Sequence, residues 1–374
     1  VSIVRGRGAK VYDLEGREYL DFVGGIAVNV LGHGHPDLVQ AIQRQAAQLI
    51  HTSNLYYTEP QVKLARLLVD HSFADRVFFS NSGAEANEAA LKVARKYARE
   101  RIASDRVEFV ATRNSFHGRT FAALAATGQE KYQHGFEPLV PGFKHVPYND
   151  LRAMERAIDN RTAGVIVECI KGEGGVHEAD DDYLRGLRKL CDQSGALLII
   201  DEIQTGVART GRLWAYQHYG IEPDIMTLAK ALANGVPIGA MLTREDIASV
   251  LIAGTHGSTF GGTPCVASVA LATMTTVLDG KLWEQAAQRG RYLMDGLRAI
   301  QASNPKVQVV RGRGLLIGAE LSVPAGPIVD ACREAGLLVL SAGEKVLRLT
   351  PPLIVAEREC EQALGIIKTV LGRA

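Results

Sequence analysis

Leu197-Leu198-Ile199-Ile200-Asp201-Glu202-Ile203-Gln204 is the stretch on which the fold turns. Four apolar residues run without polar alternation and end on an acid. An unbroken run of this length predicts a strand buried on both faces, as in a largely parallel sheet covered by helices. Similar pieces at 77–79, 108–111, 164–168 and 225–228 predict further strands of the same sheet. After the first of these, Ala86, Ala90, Val93, Ala94 and Tyr97 recur at helical spacing, which predicts an amphipathic helix over 84–99. Tyr183, Leu184, Leu187, Leu190 and Cys191 form a second helical face between two strands. Strand and helix in alternation give an α/β class, and such sheets hold ligands at the carboxyl ends of their strands.

The flanks read differently. Extended pieces at 10–13 and 18–23 and a helix over 36–49 are separated by glycine turns. From Trp283 onward the chain returns to a helix, a strand region over 307–320 and a closing helix over 356–371. The expected division is a large domain of residues 56–275 and a smaller α+β domain built from residues 1–55 and 276–374.

Composition removes several function classes. The 374 residues carry 42 Lys+Arg against 41 Asp+Glu, a formal charge of +1, so no global field recruits nucleic acid or an anionic membrane. Apolar runs such as 196–200 fall far short of the ~20 residues that a membrane helix needs. Five cysteines (Cys169, Cys191, Cys265, Cys332, Cys360), odd in number and without a C-x-x-C pair, argue against a disulfide framework or a zinc site and for a reducing cytoplasm. The first residue is Val1 and no leader-like segment follows it, which leaves open what precedes it.

Three places can carry chemistry. Ser80-Asn81-Ser82-Gly83-Ala84-Glu85-Ala86-Asn87 is a polar glycine turn opening into a helix. Its free N–H groups suit a phosphate, and the alternative is an ordinary serine N-cap. Asp201, ending a buried strand, needs a cationic or protonated partner; a helix cap or structural ion pair would also satisfy it. Lys230, in Thr227-Leu228-Ala229-Lys230-Ala231-Leu232, is either a snorkelling surface residue or an amine in a dry pocket with a lowered pKa. Together they suit pyridoxal phosphate: phosphate at the helix, pyridine nitrogen at Asp201, aldehyde carbon at Lys230. No G-x-x-x-x-G-K-[ST] or well-placed G-x-G-x-x-G supports a nucleoside triphosphatase or a nicotinamide dehydrogenase. His33 and His35, without carboxylates between them, read as turn residues rather than metal ligands.

At this point the chain resembles the class III pyridoxal-phosphate aminotransferases, and within them the branch that acts on acetylornithine. Nearly the whole length carries the likeness: Gly32-His33-Gly34-His35-Pro36, Asn54-Leu55-Tyr56-Tyr57, the Ser82 turn, Ser115-Phe116-His117-Gly118-Arg119-Thr120, Gly172-Glu173-Gly174-Gly175, the Asp201 segment through Arg209-Thr210-Gly211, the Lys230 segment, Gly257-Ser258-Thr259-Phe260-Gly261-Gly262 and Arg348-Leu349-Thr350-Pro351-Pro352. Three positions depart from the common pattern: Lys171 for Gln, Ala208 for Gly and Thr263 for Asn. They bear on the acyl donor, not on Lys230 or Asp201.

The resemblance implies a fold-type I transferase and assigns roles position by position. Lys230 would hold the cofactor as an imine and move the proton; Asp201 would keep the pyridine nitrogen protonated. Gly83 and Ala84 would bind the phosphate with Ser82 nearby, and Thr259 would reach it from the other subunit of a homodimer. Phe116 would stack on the ring and Gln204 would bond its phenolic side, while His117 would only order its loop. Arg119 would grip a substrate carboxylate, Arg348 the α-carboxylate of glutamate or 2-oxoglutarate, and Glu173 would pair with Arg348 while the longer donor is bound. Ser258 would lie near the acylated end of the donor. The implied reaction moves the terminal amino group of N-acetylornithine to 2-oxoglutarate, a step of arginine biosynthesis. Succinylornithine, N-succinyl-diaminopimelate, ornithine, 4-aminobutyrate or a carrier-bound lysine precursor are the alternative donors. A cofactor-free α/β binding protein is the rival of another class, and the presence of both Lys230 and Asp201 speaks against it.

Overall fold

In the computed structural model, which describes residues 1–373, the apolar runs assemble into one seven-stranded sheet. We label its strands β1 (Arg76–Ser80), β2 (Glu108–Thr112), β3 (Phe143–Val146), β4 (Thr162–Glu168), β5 (Leu197–Asp201), β6 (Ile225–Leu228) and β7 (Gly239–Thr243). Their spatial order is β1-β7-β6-β5-β4-β2-β3. Only β7 runs against its neighbours, pairing antiparallel with both β6 and β1. Every residue of β4, β5, β6 and β7 is buried, which is why these segments carry no polar alternation.

Register aligns the ends that matter. In the parallel ladder Asp201 stands opposite Glu168 on β4 and Thr227 on β6, so both acids and the start of the Lys230 segment meet at one edge of the sheet. Helix α1 (Gly83–Tyr97) follows β1 directly. Its buried face is Ala86, Asn87, Ala89, Ala90, Leu91, Val93 and Ala94, and the small residues let its axis lie close to the strands. Ser82 caps it, accepting a hydrogen bond from the Glu85 N–H at 3.2 Å, and Arg95 and Lys96 complement the dipole of its last turn. Helix α2 (Asp181–Ser194) buries Tyr183, Leu184, Leu187 and Cys191 and stops at Gly195, whose φ of 71° is left-handed. Leu190, expected on that face, is only half-buried.

The two ends of the chain pair with each other. Strands Ile3–Arg7, Lys10–Asp13 and Glu18–Asp21 form an antiparallel meander that takes Leu337–Leu338 as a fourth, parallel strand, with Leu20 opposite Leu337. A second small sheet combines Val307–Arg313, Leu316–Leu321, Val346–Leu349 and Leu340–Ser341. Helix α3 (Pro264–Asp279) bends by 69° into α4 (Leu282–Ser303), against which α5 (Glu357–Arg373) packs. No single helix among the described residues is long and apolar enough to cross a membrane.

Several elements depart from expectation. The extended piece at 18–23 ends at Asp21, because Gly24 and Gly25 adopt positive φ. The strand region 307–320 is a hairpin turned at Gly314. Strands β3 and β7 and helix α3 were not anticipated; β3 is a short edge strand and β7 starts only after the irregular turn that carries Lys230.

Candidate active site

A cavity of about 400 Å³ opens at the carboxyl edge of β4 and β5 and the amino end of α1. Ser82, Gly83, Ala84, Phe116, Arg119, Glu173, Asp201, Gln204 and Lys230 all line it, although they come from five separate stretches of sequence. The N–H groups of Gly83 and Ala84, in the first turn of a 15-residue helix, have no partner within that helix. They face the cavity with the positive end of the helix dipole, an arrangement suited to a phosphate.

Asp201 is buried, and the partner its burial demands is His117, whose Nδ1 lies 2.8 Å from Asp201 Oδ2. Asn87 Nδ2 donates to the same oxygen at 2.8 Å, and the Ile203 N–H donates to Oδ1 at 3.0 Å. Asn87 is itself fixed, accepting from Thr227 Oγ1 and donating to the His117 carbonyl. Burial alone would lower the pKa of His117, but the hydrogen bond and charge of Asp201 outweigh it and the net shift is upward. This corrects the expectation that His117 merely orders its loop. Beside it, burial raises the Glu168 carboxyl to about 7, and Glu168 accepts the Phe116 N–H at 3.2 Å.

Lys230 begins a short 3-10 turn at the end of β6 with φ at 42°. Left-handed backbone at a non-glycine residue costs of order 1–3 kcal/mol and persists only where surroundings impose it. Asn234 closes the turn, accepting from the Leu31 N–H and donating to the Gly32 carbonyl, so the amino-terminal segment braces the lysine. The side chain opens on the cavity from an otherwise enclosed position. That enclosure lowers its pKa, with Glu173 acting the other way.

Across the cavity Arg348 is nearly fully buried and does not line it directly. Its Nη1 donates to Glu173 Oε1 at 2.5 Å and to the Gly172 carbonyl at 3.0 Å. Burial pushes the Glu173 carboxyl up, but the charge and hydrogen bond of Arg348 prevail and lower it. Gln204 Nε2 donates to the same Glu173 oxygen at 3.2 Å, so in this structure Gln204 serves the Glu173–Arg348 pair. A Cβ at Gly172 would fall 1.7 Å from Gln204 Oε1, so a side chain there would displace Gln204 from the pair. Arg119, in contrast, has no ion pair or hydrogen bond among the described residues, and its guanidinium lies 4.6 Å from the Tyr132 ring centroid.

The donor set fits pyridoxal phosphate: an anion-binding helix end, a buried carboxylate anchored by two side-chain donors, and an amine with lowered pKa around one cavity. Comparison with known proteins agrees. The family model of class-III aminotransferases matches residues 1–371. The chain is 50% identical over 373 residues to an acetylornithine aminotransferase of Caldanaerobacter subterraneus subsp. tengcongensis, covering 100% of this chain and 95% of that one. This chain belongs to the class-III aminotransferases.

Solved structures extend the likeness. An ornithine aminotransferase of Toxoplasma gondii with PLP partially occupying its active site matches with a TM-score of 0.96 at 38% identity, over 99% of this chain and 90% of that one. The N-acetylornithine aminotransferase of Stenotrophomonas maltophilia K279a matches with a TM-score of 0.88 at 39% identity, over 100% and 96%. The aminotransferase is of fold-type I, uses pyridoxal phosphate, and exchanges amino groups between amino acids and keto acids.

Besides Arg348, two expected residues do not line the cavity of their own chain. Thr259 is exposed, and Ser258 lies outside the lining, where its Oγ is 3.2 Å from Asn81 Nδ2 and accepts the Gly261 N–H. Sequence reasoning missed Asn87, whose signal was a polar side chain on the alanine-rich buried face of α1. It also missed Glu168 and Ile203, both in the cavity lining.

Proposed function

We propose that this aminotransferase takes the terminal amino group of N-acetylornithine and passes it to 2-oxoglutarate, in the arginine-forming direction. The observation that carries the reading is the unequal state of two arginines. Arg119 presents an unpaired guanidinium to the cavity, whereas Arg348 is masked by Glu173. A donor with one carboxylate and a distant amine needs one open cation; a dicarboxylate needs both, and Glu173 must then release Arg348. Whole-length likeness to acetylornithine aminotransferases supports the acylated donor.

Bound in the cavity, pyridoxal phosphate supplies an electrophilic carbon for the amine and a sink for electrons. The chain supplies the rest of the chemistry. Gly83 and Ala84 would hold the phosphate through their N–H groups with Ser82 beside them, and Phe116 would pack on the ring. Asp201, fixed by His117 and Asn87, would hold a proton on the ring nitrogen, and Gln204 would hydrogen-bond the phenolic side. Lys230 Nζ takes the proton from the amine-bearing carbon of the donor, a task favoured by the burial that lowers its pKa.

The working unit in this reading is a homodimer in which Thr259 of each chain reaches the phosphate of the other and Ser258 the acyl end of the donor. Tyr57 and Leu55, 95% and 85% exposed, support it, since large apolar side chains so exposed mark contact surfaces. Residues 1–55 and 276–374 form a small domain against a large one of 56–275, a division supported by the pairing of Leu337–Leu338 with the amino-terminal meander. A cytoplasmic location is supported by five free cysteines.

The test is donor preference. With 2-oxoglutarate as acceptor, kcat/KM for N-acetylornithine is expected to exceed that for N-succinylornithine, N-succinyl-diaminopimelate, ornithine and 4-aminobutyrate by at least roughly tenfold. A higher value for any of the others reassigns the substrate while leaving the transamination chemistry in place.

A further inference from the structure

We propose that Tyr132 is a positioning residue that pre-orients Arg119 for the substrate carboxylate, and so sets the preference for donors that carry one. The inference rests on the reading of Arg119 as the carboxylate grip. Arg119 has no acid partner and no hydrogen bond among the described residues; what constrains it is aromatic, with Cζ 4.6 Å from the Tyr132 centroid and 5.8 Å from that of Phe116. A guanidinium stacked on a ring keeps its N–H donors free at its edge, where a carboxylate can take two of them, while the face contact removes rotamers that binding would otherwise have to freeze.

The ring itself is firmly placed. Tyr132 sits in the short turn Glu130–Gln133, whose flanks are tied to the loop that carries Phe116 and Arg119. Gln129 Nε2 donates to the Ser115 carbonyl at 3.0 Å, Gln133 Nε2 donates to the Thr127 carbonyl at 2.8 Å, and Thr127 Oγ1 accepts the His117 N–H at 2.9 Å. Tyr132 meets Phe116 edge to face at 5.6 Å and 79°. Its hydroxyl makes no hydrogen bond among the described residues, so the ring and not the hydroxyl carries the role. Lys131 Nζ stands 4.7 Å from the same ring, without an acid partner among the described residues.

The experiment compares the holoenzymes of Tyr132→Leu, Tyr132→Phe, Arg119→Leu and the Arg119→Leu/Tyr132→Leu double variant on two donors. One is N-acetylornithine; the other is N-acetyl-1,4-diaminobutane, which keeps the amide and the terminal amine but lacks the carboxylate. Tyr132→Leu is expected to raise KM for N-acetylornithine roughly three- to thirtyfold with little change in kcat, the span that one cation–ring contact represents. The other donor and the visible absorption of the bound cofactor should not change, Tyr132→Phe should restore the parent KM, and Tyr132→Leu should add nothing in the Arg119→Leu background. Equal losses on both donors, or no loss on N-acetylornithine while Arg119→Leu is impaired, would overturn the positioning role. If Arg119→Leu itself binds N-acetylornithine as the parent does, the carboxylate reading falls, and this inference with it.

Discussion

Asp201 is the residue at which burial, charge and chemistry meet. Three hydrogen bonds hold its two oxygens, and the two side-chain donors come from positions 84 and 114 residues away. A carboxylate enclosed in this way is usable only while those donors stay in place. Substituting His117→Leu removes a hydrogen bond to a charged group, so the apoprotein is expected to lose about 1.5–3 kcal/mol of stability in urea unfolding. Unchanged stability would mean that Asn87 and the Ile203 N–H suffice. Lys230, Asp201 and the Ser82 turn were legible in the sequence because each chemical group sits at the end of an apolar run or the start of a helix. Asn87 was not assigned and His117 was given only its loop, since their links to Asp201 exist only once β5, α1 and the loop carrying His117 are adjacent.

Elements impose their own electrostatics. Glu202, the residue after β5, is fully enclosed and accepts the Thr205 hydroxyl at 2.6 Å and the Tyr216 N–H at 2.8 Å, tying the end of the strand to the 3-10 turn Ala215–His218. Burial raises its carboxyl from 4.5 to about 7, the hydrogen bonds opposing only in part. The sign follows from linkage: a folded pKa above the unfolded one contributes stability that is fully present below pH 4.5 and is lost as pH rises through about 7. Glu202→Gln lacks that loss. The stability of Glu202→Gln relative to the parent should therefore climb between pH 4.5 and 7 and level off above, as read from melting temperatures across pH; a gap independent of pH would contradict it. Buried strands were readable as apolar runs with little error at their ends. Strand β7 was not, because Gly239-Ala240-Met241-Leu242-Thr243 differs little from a parallel strand in composition, and its reversed direction is fixed by pairing with β1 and β6.

At the scale of the whole molecule, the sheet edge gathers the groups and the chain ends close over them. Glu168, Asp201 and Thr227 share a register line, α1 brings its amino end to it, and Arg348 arrives from a strand of the small antiparallel sheet. The class and most of the cavity lining were legible because those motifs lie at strand and helix ends. What the sequence could not supply is the state of the cavity: Gln204 turned toward the expected Glu173–Arg348 pair, and Arg119 left free over Tyr132. Those are outcomes of packing between remote segments. The central claim is that this cavity moves an amino group with Lys230 as the proton carrier, and a single-turnover half-reaction tests it most directly. The holoenzyme is mixed with N-acetylornithine in the absence of keto acid, then with 2-oxoglutarate, alongside Lys230→Ala. The visible band of the bound cofactor should disappear and then return with one glutamate released per site in the parent, while Lys230→Ala completes neither step. A parent whose band does not respond to the donor, or a Lys230→Ala variant that turns over as the parent does, would contradict the account.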